Sequence, residues 1–451
     1  MSLLLDEKLN EQLQKNHEPL IDTIKKVVRI PSIIDEDSKE FAFGEDIDKA
    51  LKETLNICES LGFKTYCDPE GYYGYAEIGE GDELVGVLGH LDVVPVGSLE
   101  EWANDPFDPV IKDGKLYGRG TQDDKGPTLA SLYAAKSLMD MGIEFNKRLR
   151  FIFGTDEENL WRGIAKYVEK EEKPSMGFTP DSRFPLIYAE KGLLQLHLDG
   201  ENETSLNLKG GDAFNSVPAG IVYKDKEQEK LKSKLKELGF EYKEVDGGIQ
   251  VIGKAVHAQE AENGINAISR LAIALKGIGT ESKAIDFIAE EIKEDAFATN
   301  IFGNCEDEDS GKLKFNIGKI NIGEKEQISI DIRIPVTADK EEVVAKLSKK
   351  AKLYGLEYKE YDWLKSIYIP KDHFLIKTLL DVYQDVTGDT ESEPISSGGA
   401  TYARAIDNCV AFGAVLPGRE KVEHKPNEYI NLEDLAVAME IYAKAIYKIT
   451  R

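Results

Sequence analysis

A chain of 451 residues exceeds what one hydrophobic core accommodates, and an apolar share of 41% is ample for two domains. Its net charge of −26, from 57 Lys and Arg against 83 Asp and Glu, excludes attraction to nucleic acid or to an anionic membrane surface and favours cations. Four cysteines without CxxC spacing exclude a disulfide framework, and no signal segment or apolar run of ~18 residues is legible, so the chain reads as cytoplasmic and not exported.

Apolar residues at helical spacing predict a helix over about Asp6 to Arg29, stopped by Pro31, and a second over about Glu45 to Leu61 closed by Gly62. Short strands follow at Phe63–Cys67 and Tyr72–Ile78. The run LVGVLGHLDVVP then reads as a buried strand that ends in His90 and Asp92, two side chains on one side of an extended segment. A strand at Lys115–Tyr117 leads into the glycine-flanked GRGTQDDKGP, which carries Asp123 and Asp124. A helix from about Pro127 to Met141, a strand Arg148–Gly154 ending in Thr155-Asp156-Glu157-Glu158, another helix, and a strand near Met176–Thr179 ending in Pro180-Asp181 complete the series.

Strands alternating with helices predict an α/β domain with a mixed, largely parallel sheet. In such sheets ligands bind beyond the carboxyl ends of the strands. His90/Asp92, Asp123/Asp124, Glu157/Glu158 and Asp181 all fall at such ends.

From about Lys191 the texture changes to long charged helices at Lys224–Leu238 and Ala338–Tyr354. Two strings share a layout: GGIQVIGKAVHA before a helix Ile265–Leu275, and KINIGEKEQISIDIRIP before a helix Lys340–Ala351. This predicts an inserted α+β domain of two similar halves. The α/β pattern resumes with helix Phe374–Val386, strand Cys409–Val415 and helix Leu432–Lys448. The expected division is 1–190 and 371–451 for the discontinuous first domain and 191–370 for the insertion.

Two divalent cations held close together need several carboxylates and histidines, commonly with one carboxylate shared. His90, Asp123, Glu158, Asp181 and His424 form such a set, and Asp123 in the shared place would leave each cation an open position and a bridging hydroxide near neutral pH. Adjacent acids such as Glu157 and Glu158 point different ways, so one can bind metal while the other serves as general base. Singly, each motif competes with a solvated surface pair; their joint occurrence at strand ends carries the reading. In the insertion, His257 is a candidate donor to a tetrahedral oxyanion or a cap on a turn. Arg333 is a candidate partner for a carboxylate or an ordinary strand residue.

Together GHLDVVP, GRGTQDDKGP, GTDEE, TPDSRFP, SSGGATYAR and HKPNEYI resemble the dinuclear-metal peptidase family that contains aminoacylases, desuccinylases, glutamate carboxypeptidases and carnosinase-type dipeptidases, and within it the bacterial PepV-type dipeptidases. The resemblance implies a zinc-exopeptidase-like catalytic domain with an inserted lid. It places His90 and Asp181 on one metal, Glu158 and His424 on the other and Asp123 between them, with a cis Asp123–Asp124 peptide. It makes Asp92 the residue that orients His90, Glu157 the general base and His257 the oxyanion donor. Asn215, Arg333 and the Gly398-Gly399 backbone would engage the substrate carboxylate. Two Zn²⁺ ions are expected, with Mn²⁺ as the alternative. Tyr402 and Asn159-Leu160-Trp161 depart from an Asp and a Thr-Gly common in the family, in keeping with the dipeptidase branch. The expected activity is hydrolysis of short peptides, β-alanyl dipeptides among them, by a monomer whose lid acts in cis. An aminoacylase is the alternative enzyme.

Overall fold

The computed structural model describes residues 3–451, which divide into two compact units. The first comprises the described residues up to Tyr188 with Ile369–Ile395 and Thr401–Arg451, and the second Ala189–Tyr368 with Ser396–Ala400. The short excursion of residues 396–400 into the second unit was not legible in the sequence, since it leaves no break in the helix and strand pattern.

The sheet of the first unit runs in the order Lys64–Cys67, Tyr73–Ile78, Arg148–Gly154, Leu84–His90, Met176–Thr179, Cys409–Ala411, and then meets Ile187. The four strands from Arg148–Gly154 to Cys409–Ala411 are mutually parallel, and the flanking pairs are antiparallel. All seven residues of Leu84–His90 are buried, as a strand covered on both faces requires. Helices Leu3–Val28, Lys125–Asp140 and Leu432–Ile449 pack together, while Glu45–Ser60 packs on the antiparallel edge. Since parallel strands share a direction, His90, the Thr155–Glu158 segment and Asp181 emerge at one edge. His90 pairs in register with Gly154 there.

Helix bounds lie close to those read from periodicity, with the largest shift at Gln228–Leu238, where the expected start at Lys224 gives way to a turn. The expected strand Cys409–Val415 is split into Cys409–Ala411 and Ala414–Val415 around Gly413, whose φ is +88°.

The second unit holds a five-stranded antiparallel sheet, Leu208–Gly210, Lys314–Ile322, Lys325–Ile334, Gly192–Glu201 and Glu357–Leu364, and a three-stranded one, Gly220–Tyr223, Gly248–Ile252 and Tyr242–Val245. Leu194, Leu196 and Leu198 alternate into a core with Ile328, Ile330 and Ile332, and helices Ala267–Gly277 and Lys340–Leu353 contribute to it. The two similar strings thus feed sheets of different size. Among the described residues no helix is long and apolar enough to cross a membrane, and none of the four cysteines is in a disulfide.

Candidate active site

His90 ends its strand with a buried imidazole whose Nδ1 donates to the Asp92 backbone carbonyl at 2.9 Å. This leaves Nε2 facing Asp123 Oδ1 at 2.9 Å and Asp181 Oδ2 at 3.8 Å. The Asp92 carboxylate itself does not bond the ring: Oδ1 stands off at 3.6 Å, and Oδ2 accepts from the Glu158 backbone N–H at 3.0 Å. Asp92 thereby joins the His90 strand end to the acidic pair.

Asp123 lies in the turn before helix Lys125–Asp140, and its peptide bond to Asp124 is cis. The turn is tight because Gly126 has no side chain: a Cβ there would stand 2.1 Å from the Thr121 carbonyl. Asp123 Oδ1 serves His90 while Oδ2 lies 3.1 Å from His424 Nε2, which in turn is 3.0 Å from the Glu158 carboxylate. His90, Asp123 and Glu158 form one group able to hold a metal ion, and His90, Glu157 and Asp181 form another. The five expected metal ligands are brought together, with Glu157 beside them.

The electrostatics suit cations. Burial raises the Glu157 and Asp181 carboxyls well above the carboxylate range, and neighbouring charges, Glu158 and Asp123 on Glu157 and Asp123 on Asp181, add to it. Burial alone would lower His90, yet its bond to Asp123 and the negative charge of the nearby Asp92 carboxylate outweigh that and hold the imidazole well above its ordinary value. His424 behaves alike, burial being overcome by Asp123 and Glu158. Glu157 Oε1 and Asp92 Oδ1 are buried without a hydrogen-bond partner. Nitrogen and oxygen donors converging under excess negative charge form a donor set that divalent cations satisfy.

In the second unit, His257 and Asn215 are neighbours: Ser216 and His257 form a β-bridge, and the Ala258 N–H donates to the Asn215 carbonyl at 2.8 Å. His257 caps the turn Ala258–Asn263, its Nδ1 accepting from the Gln259 N–H at 3.2 Å. A neutral ring accepting at Nδ1 carries its proton on Nε2, the tautomer an oxyanion donor needs. Gly398 lies against Gln259, where a Cβ would stand 2.8 Å from the Gln259 Cβ.

Arg333 lies on strand Lys325–Ile334 of the second unit. It is buried, not exposed, and its Nε and Nη2 grip Asp331 at 2.6 and 3.0 Å while Nη1 donates to the Gly398 carbonyl at 2.8 Å. Its two-pronged edge is thus turned to an internal aspartate, and three of its five N–H groups are engaged.

A profile of peptidase family M20/M25/M40 matches residues 86–448. The chain belongs to this family. "Putative dipeptidase YtjP" of Bacillus subtilis (strain 168) is 36% identical over 465 residues, covering 97% of this chain and 98% of its own. "Putative dipeptidase SH1171" of Staphylococcus haemolyticus (strain JCSC1435) is 33% identical over 475 residues with the same coverage. Among solved structures, human carnosine dipeptidase 1 is 15% identical with a TM-score of 0.62 over 99% of both chains. The di-peptidase Dug1p of Saccharomyces cerevisiae is 16% identical with a TM-score of 0.61 over 99% of this chain and 98% of that one. At such identity the structures establish the fold, which is the mixed α/β arrangement described above.

Two groups of this M20/M25/M40 peptidase, Asp156 and Glu428, were not singled out from the sequence, and a third, Tyr402, was marked only as a departure from the family pattern. Asp156, fully buried, takes three bonds from Arg162, through its N–H at 2.9 Å, Nε at 2.7 Å and Nη2 at 2.9 Å, and Arg162 also grips Glu36. This fixes the loop that presents Glu157 and Glu158. Tyr402 packs edge-on against His90 and Trp161, with ring centroids 6.3 and 5.3 Å away. Glu428, fully buried, binds the Asp123 loop. Only a chain neighbour marked each of them, GTDEE for Asp156 and HKPNEYI for Glu428; Tyr402 stood out as a departure without a role.

Proposed function

We propose that this chain, a metal-dependent dipeptidase, hydrolyses unblocked short peptides, β-alanyl dipeptides among them, at the cluster built on Asp123. The single observation that supports it most is the division of the Asp123 carboxylate, Oδ1 toward His90 and Oδ2 toward His424. In this reading Asp123 would be shared by two divalent cations, His90 and Asp181 would complete one donor set, and Glu158 and His424 would complete the other. Zn²⁺ is the cation we assign, and the same donors accept Mn²⁺. Bound cations supply Lewis acidity toward the scissile carbonyl and the attacking water.

Glu157 takes the proton of that water and returns it to the leaving amine. Its Oε1 is buried and unpartnered, and burial, with the charges of Glu158 and Asp123 beside it, raises its affinity for a proton above that of an ordinary carboxylate, which suits a proton acceptor. Asp92 positions His90 through its main-chain carbonyl and Glu158 through its carboxylate. His257 is assigned the oxyanion, donating from Nε2. Asn215 and the Gly398-Gly399 segment, with Arg333 holding Gly398, are assigned the substrate carboxylate. We read the protein as a monomer acting in the cytoplasm, in keeping with cysteines that form no disulfide.

The test is hydrolysis of a dipeptide and of the corresponding N-acetyl amino acid by protein loaded with Zn²⁺ or Mn²⁺. Preferential turnover of the dipeptide supports the reading. Preference for the acetylated compound would make the chain an aminoacylase.

A further inference from the structure

Asp123 and His424 reach the cluster from segments far apart in sequence, and two side chains cross-link those segments in opposite directions. Glu428, four residues after His424, is fully buried. Its Oε1 accepts from the backbone N–H groups of Gly120, Gln122 and Asp123 at 3.1, 2.9 and 3.1 Å, and its Oε2 from Arg119 Nη1 at 2.7 Å. Gln122, immediately before Asp123, answers from the other segment: its Oε1 accepts from the Val422 and Glu423 N–H groups at 2.8 and 3.2 Å.

The two histidines differ in how firmly their own backbone holds them. His90 ends a buried strand paired on both sides. His424 sits in a turn with φ +62°, outside any helix or strand, and its side chain is 53% exposed. Its position therefore depends on what ties its segment down.

We propose that Glu428 and Gln122 are positioning residues of the two-cation site, Glu428 setting Asp123 and Gln122 setting the segment that carries His424. The inference rests on the two-cation reading above. It assigns them unequal effects. Gln122 acts on the His424 side alone, whereas Glu428 acts through the shared Asp123 on both sides. Groups that orient metal ligands typically contribute about 10- to 100-fold to affinity.

The experiment is Mn²⁺ titration of the whole chain followed by electron paramagnetic resonance, with thermal melts showing that each variant is folded. Wild type is expected to take two Mn²⁺ and to show the signal of a coupled pair. In Gln122→Ala the first Mn²⁺ is expected to bind as in wild type and the second about 10- to 100-fold more weakly, with the coupled signal lost. Gln122→Glu keeps both acceptor bonds but loses the longer Nε2 bonds to the Glu420 and Tyr429 carbonyls at 3.5 and 3.4 Å, and is expected to restore the second ion in part. Glu428→Gln turns one oxygen into a donor facing Arg119 or the three amides, and weakens both ions. Unchanged binding in Gln122→Ala, equal weakening of both ions there, or no rescue by Gln122→Glu overturns the inference while the two-cation reading stands. A single Mn²⁺ on wild type overturns both.

Discussion

Asp123 Oδ2 lies 3.1 Å from His424 Nε2, a contact between a turn in the first third of the chain and one near its end. The other oxygen of the same carboxylate already faces His90, so Asp123 joins two donor sets that no local stretch of sequence contains. The chemistry of the site follows from that sharing.

Glu157 is assigned proton transfer and no metal, so its removal should separate rate from metal content. Glu157→Gln is expected to lower kcat for a dipeptide by about 10²- to 10⁴-fold, the usual contribution of a positioned acid or base. Metal analysis of the same sample should still give the wild-type content. Loss of both together would make Glu157 a ligand.

Metal affinity should rise with pH. In the metal-free chain His90 and His424 are held protonated above their ordinary value by Asp123 and its neighbours, against burial, and burial raises Glu158 and Asp181. Each must lose its proton to become a ligand. Binding near pH 7 is therefore expected to release protons, and affinity to fall as pH drops from 7 toward 5. Calorimetry in buffers of different ionisation enthalpy counts the protons, and a count of zero would contradict this.

Much of this arrangement was legible before the fold. His90, Glu158 and Asp181 follow apolar runs that could only be buried strands, and a parallel sheet gathers such ends at one edge. Asp123 announced itself by the glycines of its turn. What escaped were pairings that no motif marks: Asp156 with Glu36 through Arg162 and Glu428 with the amides of Gly120, Gln122 and Asp123, both bridging distant segments, and Asp331 with Arg333 within one strand. An acidic residue in a chain with 83 of them carries no mark of its partner. For Arg333, nothing local shows that a buried aspartate two residues earlier on its own strand bonds its guanidinium.

That buried pair has a stability signature. Asp331→Ala leaves the Arg333 charge buried without its partner, and truncations of this kind cost about 3–5 kcal/mol. Urea unfolding should show a loss of that order, and a loss near zero would mean that Arg333 reaches solvent. The Gly398 segment, held by the same guanidinium, should become more susceptible to hydrogen exchange.

Gly154 is expected to be intolerant of a side chain. A Cβ there would stand 2.2 Å from the Tyr402 ring, which packs against His90. Gly154→Ala should cost about 1–3 kcal/mol as overpacking does, with a lower melting temperature as the readout. An unchanged melting temperature would show that Tyr402 has room to move.

The most direct measurement is dipeptide turnover as Zn²⁺ is added to metal-free protein, for wild type and for Asp123→Asn. The account predicts two equivalents bound per chain, turnover of an unblocked dipeptide that requires them, and loss of both in Asp123→Asn. Turnover that survives a chelator, or an Asp123→Asn protein that still binds two ions and cleaves the dipeptide, would contradict it.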